Sequence, residues 1–276
     1  MPQRLFVFVQ VEFPWALGPS DGRYLMRAAS GGPPERVIVV EGASGQEPPA
    51  PAQSTRVTVI DPVSLSAEHQ ARAWLEDFEG DRERGVHEAF ALVNRVLYLH
   101  RLATADPHVH EVAPAQALLI RAGWGEGEQL ASGRWQHAAE LPAVSAGPRR
   151  RLLRRGSRRE RSAELTHSER LAALLGAREE PLVCEELALR SQGDLDAGRL
   201  AHAALELQSA LATALVELRA LERHDLALRI DELDQLSAGV AEQARAAPGG
   251  GQPDEEVLTH ALGRLQAALR ARQLRR

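Results

Sequence analysis

The sequence has no lysine at all, one asparagine (Asn94) and one cysteine (Cys184) in 276 residues. A lone cysteine excludes an intrachain disulfide framework and any all-cysteine zinc or iron–sulfur centre. The missing lysine means that all 33 cationic side chains are arginine. The skew extends to the uncharged Asn and to heavy use of Ala, Gly and Pro. That breadth points to the codon bias of a GC-rich genome rather than to selection for guanidinium chemistry. Aromatic residues make up only 4%, so any core must rest on aliphatic side chains. No uninterrupted apolar run approaches the roughly 18 residues a membrane helix requires, and none is expected. The opening stretch MPQRLFVFVQVEFPW is interrupted by Gln10 and Glu12 and lacks a cleavage signature, so it does not read as a signal peptide. Together these absences predict a cytoplasmic chain.

Nucleophile and cofactor signatures are also absent. There is no GxSxG, HExxH or Walker loop, and no cofactor is expected. Cys184 lies among Leu182, Val183 and Leu187 and reads as a small core residue. Asp61 ends a strand-like run ahead of Pro62, where catalytic carboxylates occur, but Asp-Pro equally starts a turn.

What the sequence does contain is an uneven charge distribution. Residues 1–148 carry 12 Arg and 18 acids, residues 149–161 (RRRLLRRGSRRER) carry 8 Arg and 1 acid, and residues 162–276 carry 13 Arg and 19 acids. Two acidic bodies joined by a basic connector are thus predicted: an α+β domain over 1–147, an Arg-rich linker over 148–162 and a helical domain over 163–276, with a flexible break at 247–253. Within the linker, Arg149, Arg150, Arg151, Arg154, Arg155, Arg158 and Arg159 form the candidate polyanion site, with nucleic acid or the ribosome as the partner. The connector contains no aromatic residue to stack on bases, and its neighbours would repel a polyanion.

The first body alternates in period two over residues 4–12, with shorter strand patterns at 23–28, 36–41 and 56–61. The Pro/Gly-rich stretch 42–54 reads as a loop. Helical spacing follows at 66–79 and 86–103, then a short helix at 115–120, a GWGEG loop and weakly helical sequence to 141. Strands followed by helices give the α+β class: a small N-terminal sheet with packed helices, then an all-α hairpin or bundle domain. Arg121, with Trp124 and Glu126 of the glycine-rich loop, is the candidate pocket for a small polar ligand, the basis of an alternative ligand-binding or hydrolytic function. His108 and His110, two apart in an extended segment, share a face and form the candidate metal site.

The second body is helical almost throughout. Thr166 with Glu169 fits a capping box. Leu200, Leu207 and Leu211 lie on one leucine seam and Leu258, Leu262 and Leu265 on another. Gly198, Ala203, Leu207 and Ala210 have the spacing of a close-packed helical hairpin. Seams of this length exceed what one small bundle is expected to cover, so these six leucines are the candidate protein interface. The function predicted from them is a non-enzymatic adaptor or scaffold that binds a protein partner or a second copy.

Overall fold

The computed structural model describes residues 4–43, 54–141 and 158–273. The chain divides into two compact units. One runs to Thr104 and again over Val109–Glu180; the other holds Ala105–His108 and everything from Pro181.

The first unit is built on a six-stranded antiparallel sheet: β1 (Leu5–Phe13), β2 (Gly22–Met26), β3 (Arg36–Ala43), β4 (Ser54–Ile60), β5 (Leu119–Glu126) and β6 (His137–Leu141). Their order across the sheet is β2-β3-β4-β1-β5-β6. The α+β class read from the sequence is what the structure has, and the period-two pattern of residues 4–12 is the central strand. Val7, Val9, Val11 and Phe13 of β1 are buried on one face, where Phe13 meets Phe90 edge-on at 6.0 Å between centroids. That face carries the helices α1 (Glu68–Gly80), over β1 and β5, and α2 (Arg82–Thr104), against β4.

The opposite face is closed differently. A short helix, α3 (Gly127–Leu130), brings Leu130 onto Phe8, Val39 and Ile60, with Phe6 and Trp135 packed alongside. Farther along the same face a polar row replaces the apolar one. Gln10 donates to the Thr58 hydroxyl at 2.9 Å. Arg121 donates to Gln10 at 3.3 Å and, through two nitrogens, to one Glu140 oxygen at 3.1 and 3.0 Å.

Two expectations are corrected here. The segment 115–126 is not a helix followed by a glycine loop but a single 3-10 turn (Pro114–Gln116) leading into β5. Gly123 and Gly125 of GWGEG are there because the neighbouring backbone leaves no room. A Cβ on Gly123 would fall 2.1 Å from the His137 carbonyl, and one on Gly125 would fall 3.1 Å from the Trp135 Cα. Glycine in a strand marks this kind of close approach. The weakly helical stretch to 141 is helical only at its start, in Gly127–Leu130, and ends as β6.

The second correction concerns the domain boundary. The helix α4 (Arg158–Leu175) starts inside the expected linker and belongs to the first unit, which runs to Glu180 rather than ending at 147. Thr166 therefore sits mid-helix and not at a helix start. Three attachments explain the placement. The Ser168 hydroxyl donates to Ser20 Oγ at 3.0 Å, the Arg27 amide donates to the Leu175 carbonyl at 2.9 Å, and Arg170 donates to the Leu102 carbonyl at the end of α2. Leu171, Leu174 and Leu175 are buried on that side.

The second unit is a four-helix array of α5 (Val183–Asp196), α6 (Leu200–Ala220), α7 (Ala227–Ala246) and α8 (Glu255–Gln273). Consecutive helices pack on one another and α8 closes against α5, α6 and α7. Fully buried Ala203, Ala204, Ala210 and Ala214 let α6 approach its neighbours, and the Ser191 hydroxyl of α5 donates to the Ala203 carbonyl at 3.0 Å. The expected break at 247–253 is the joint between α7 and α8: a 3-10 turn over Ala247–Gly249, then Gly250 at φ +78. No helix among the described residues is long and apolar enough to cross a membrane.

Candidate functional site

The two leucine seams are core, not interface. Leu207, Leu211, Leu258, Leu262 and Leu265 are all essentially inaccessible in a single copy of the chain, and Leu200 is half-buried. Four helices close on one another and use both seams at once, so no apolar stripe is left over on either.

Exposed aliphatic surface lies elsewhere in the second unit. Val183 is 59% exposed, Val216 69%, Leu221 38% and Leu228 84%. Val183 opens α5, Val216 lies in the last turns of α6, Leu221 follows that helix and Leu228 opens α7. The antiparallel connections bring all four to the same end of the array. Glu217 fixes the geometry there. Its carboxylate accepts the Val183 amide at 2.8 Å and the Cys184 amide at 3.0 Å. The first amides of α5, which have no partner within their own helix, are thereby satisfied, and the negative charge sits at the positive end of the helix dipole. The same carboxylate acts on the Cys184 thiol, whose pKa is raised first by burial and then by Glu217. A thiol so suppressed is not a nucleophile at neutral pH. Around this end Glu222, Asp225, Asp231 and Asp234 are exposed. Arg219 pairs with Asp234 at 3.4 Å, and Arg223 holds Asp225 at 2.6 Å while donating to the Arg272 carbonyl of α8.

The residues grouped as a ligand pocket are not brought together. In β5, Arg121 points to the face carrying Gln10 and Trp135, whereas Trp124 and Glu126 point to the helical face, as strand alternation requires. Trp124 is buried and stacks on His137 at 4.5 Å between centroids. The Arg121 guanidinium is occupied by Glu140 and Gln10 and lies 5.2 Å from the Trp135 ring centroid. The nominated trio is therefore split between a buried stack and a satisfied polar row.

The nominated metal ligands fare similarly. His108 belongs to the second unit and has its Nε2 3.4 Å from an Asp196 oxygen, while His110 belongs to the first. Both are exposed. Among the described residues no three His, Cys, Asp or Glu side chains gather where they could hold a metal ion. Of the polyanion candidates, Arg149, Arg150, Arg151, Arg154 and Arg155 lie outside the described residues. Arg158 and Arg159 form the first turn of α4.

Sequence reasoning passed over one further feature, a cleft of about 290 Å³ in the first unit. It opens where α1 turns into α2, above the sheet end at which β3 begins and β4 finishes. Its floor is apolar, from Val7, Val9 and Val59, and Trp74 and Phe78 line it with their rings 5.4 Å apart. Gly85 permits this packing, since a Cβ there would sit 2.4 Å from the Phe78 ring. The only sequence signal was Asp61 at a strand end, which the structure puts at the rim.

No protein-family model matches the chain, and neither a curated protein nor a solved structure matches it.

Proposed function

We propose that the protein is a non-enzymatic cytoplasmic adaptor whose four-helix unit engages a partner protein through the end of the array that carries Val183, Val216, Leu221 and Leu228. The observation that supports this reading is the solvent exposure of four branched aliphatic side chains at one end of a unit whose core is otherwise closed. Leaving such groups in water forfeits roughly 1.5–3 kcal/mol each relative to burial, a gain that association would recover in part. Two of the acids at this end are held by Arg219 and Arg223, and the remaining Glu222 and Asp231 favour a partner segment whose apolar face is flanked by basic residues. The buried, suppressed Cys184 thiol and the structural engagement of Arg121 and Trp124 favour an adaptor over a catalyst, and a single unpaired cysteine suits a reducing compartment.

The test uses the full chain with a photo-crosslinking residue at position 228 or 216, followed by purification of the captured protein. The adaptor reading expects one partner from both positions, bound about tenfold or more weakly by the Val216→Asp, Leu228→Asp chain, which retains its melting temperature. Affinity that ignores the double substitution, or capture of a second copy of the chain alone, overturns it.

A further inference from the structure

The cleft at the corner of α1 and α2 has a composition that selects for one kind of ligand. Four carboxylates stand at its rim, Asp61, Asp77, Asp81 and Glu88, against two guanidiniums, Arg36 and Arg84. Arg84 is committed to Asp81 at 2.8 Å and reaches Glu88 only at 4.0 Å. Arg36 stands 3.7 Å from Asp61, beyond hydrogen-bonding distance. The rim therefore keeps a surplus of negative charge over a floor of buried valines. Beneath the carboxylates, Trp74 is half-buried and offers a ring to the cavity. An indole face attracts cations, most strongly where water is displaced.

These features act together and exclude alternatives. An anionic ligand would meet four carboxylates. A neutral apolar ligand would leave them unused, and a metal ion would find no use for the valine floor. The volume lies at the lower limit of ligand pockets, too small for a dinucleotide or an acylated cofactor. We infer that this cleft binds a small organic cation, an amine or guanidine carried on a short apolar or aromatic body, with the body on the valines and the cation between Trp74 and the rim carboxylates. The site lies wholly within the first unit, so it stands or falls independently of the adaptor surface on the second.

Calorimetry on the full chain tests this with four probes: phenethylamine, agmatine, the neutral phenethyl alcohol and the anionic phenylacetate. The expectation is one-to-one binding of at least one cation, weakened by salt, with the alcohol at least about tenfold weaker and phenylacetate not bound. The Asp77→Asn, Glu88→Gln chain should lose about tenfold in affinity for the cation, and Trp74→Leu should lose a comparable amount. Both variants alter exposed or half-buried side chains, and a melting temperature within a few degrees of the parent certifies each fold. Equal affinity for amine and alcohol, affinity that ignores the rim substitutions, or no heat with either cation at millimolar concentration overturns the proposal.

Discussion

The two units close their cores with the same chemical device placed at very different sequence separations. In the first, Arg170 and Glu179 form a buried pair at 3.2 Å within the α4 region, and the guanidinium reaches out to α2 through the Leu102 carbonyl. In the second, Arg272 of α8 meets Glu185 of α5 at 3.1 Å, also buried, joining the last helix to the first. Glu185 additionally accepts the Leu182 amide at 3.2 Å. The local pair fixes the end of α4 and ties that helix to α2. The distant pair completes a circuit that no loop supplies. A buried ion pair adds little over a well-packed apolar pair, yet removing one partner leaves a stranded charge.

The comparison breaks most sharply at those pairs. Arg272→Ala should cost the second unit about 3–5 kcal/mol, and Arg170→Ala should cost the first a similar amount. Chemical denaturation followed by a probe in each unit reads both, and each loss should be confined to its own unit. Replacing both members of a pair with Leu or Met should restore most of the loss. Equal damage to both units from either substitution would deny the division.

Next in size is Glu217, which serves the second unit alone. Glu217→Ala leaves the first α5 amides without an acceptor and should cost about 1 kcal/mol. It also removes the group that, after burial, does most to raise the Cys184 pKa. Reaction of the native chain with a thiol reagent at mildly alkaline pH should therefore become faster. An unchanged rate would mean that burial alone controls the thiol.

A gain is expected where both units carry the same strain. Ala177 after α4 and Glu222 after α6 adopt φ +51, the left-handed region that costs a side chain about 1–2 kcal/mol. Glycine at either position should stabilise its own unit by about 0.5–1 kcal/mol after its greater chain entropy is subtracted. Thermal melts of the two single variants measure this.

The smallest effect is a pH dependence peculiar to the second unit. Glu232 accepts from Arg264 at 2.5 Å, and this bond holds the carboxyl below its ordinary pKa, with the nearby positive charge adding to it. A depressed pKa contributes stability at pH values above the ordinary carboxylate range, and that contribution is lost as pH falls through the depressed value. The difference in melting temperature between the parent and Glu232→Gln should therefore shrink on acidification from about pH 5 to about pH 2.

How much was legible follows the same division. Alternation in Leu5–Phe13 and helical spacing in α1, α2, α6 and α8 are local signals, and each located its element. What packs against what is not local. The leucine seams named the apolar side of α6 and α8 correctly, but only closure by α5 and α7 shows that nothing remains uncovered. The charged start of α4 read as linker because arginine and glutamate favour helix as readily as they favour solvent. Arg121 and Trp124 looked like neighbours in sequence because the glycines around them masked a strand that sends them to opposite faces. The cleft was illegible for a related reason. Its floor comes from β1 and β4 and its rim from β3, β4, α1 and α2, so no window of sequence holds more than part of it.

The sheet order has a bearing on synthesis. β1 lies between β4 and β5, with Leu5 opposite Glu126 and Phe13 opposite Thr55. As the ribosome extends the chain, this apolar strand emerges long before its second neighbour exists, and one row of its amides and carbonyls stays unclaimed while some hundred further residues are added. Such an edge invites pairing with other nascent chains. A pause or truncation ahead of Leu119 would therefore release an aggregation-prone half-sheet, whereas one after Leu141 would leave every strand paired.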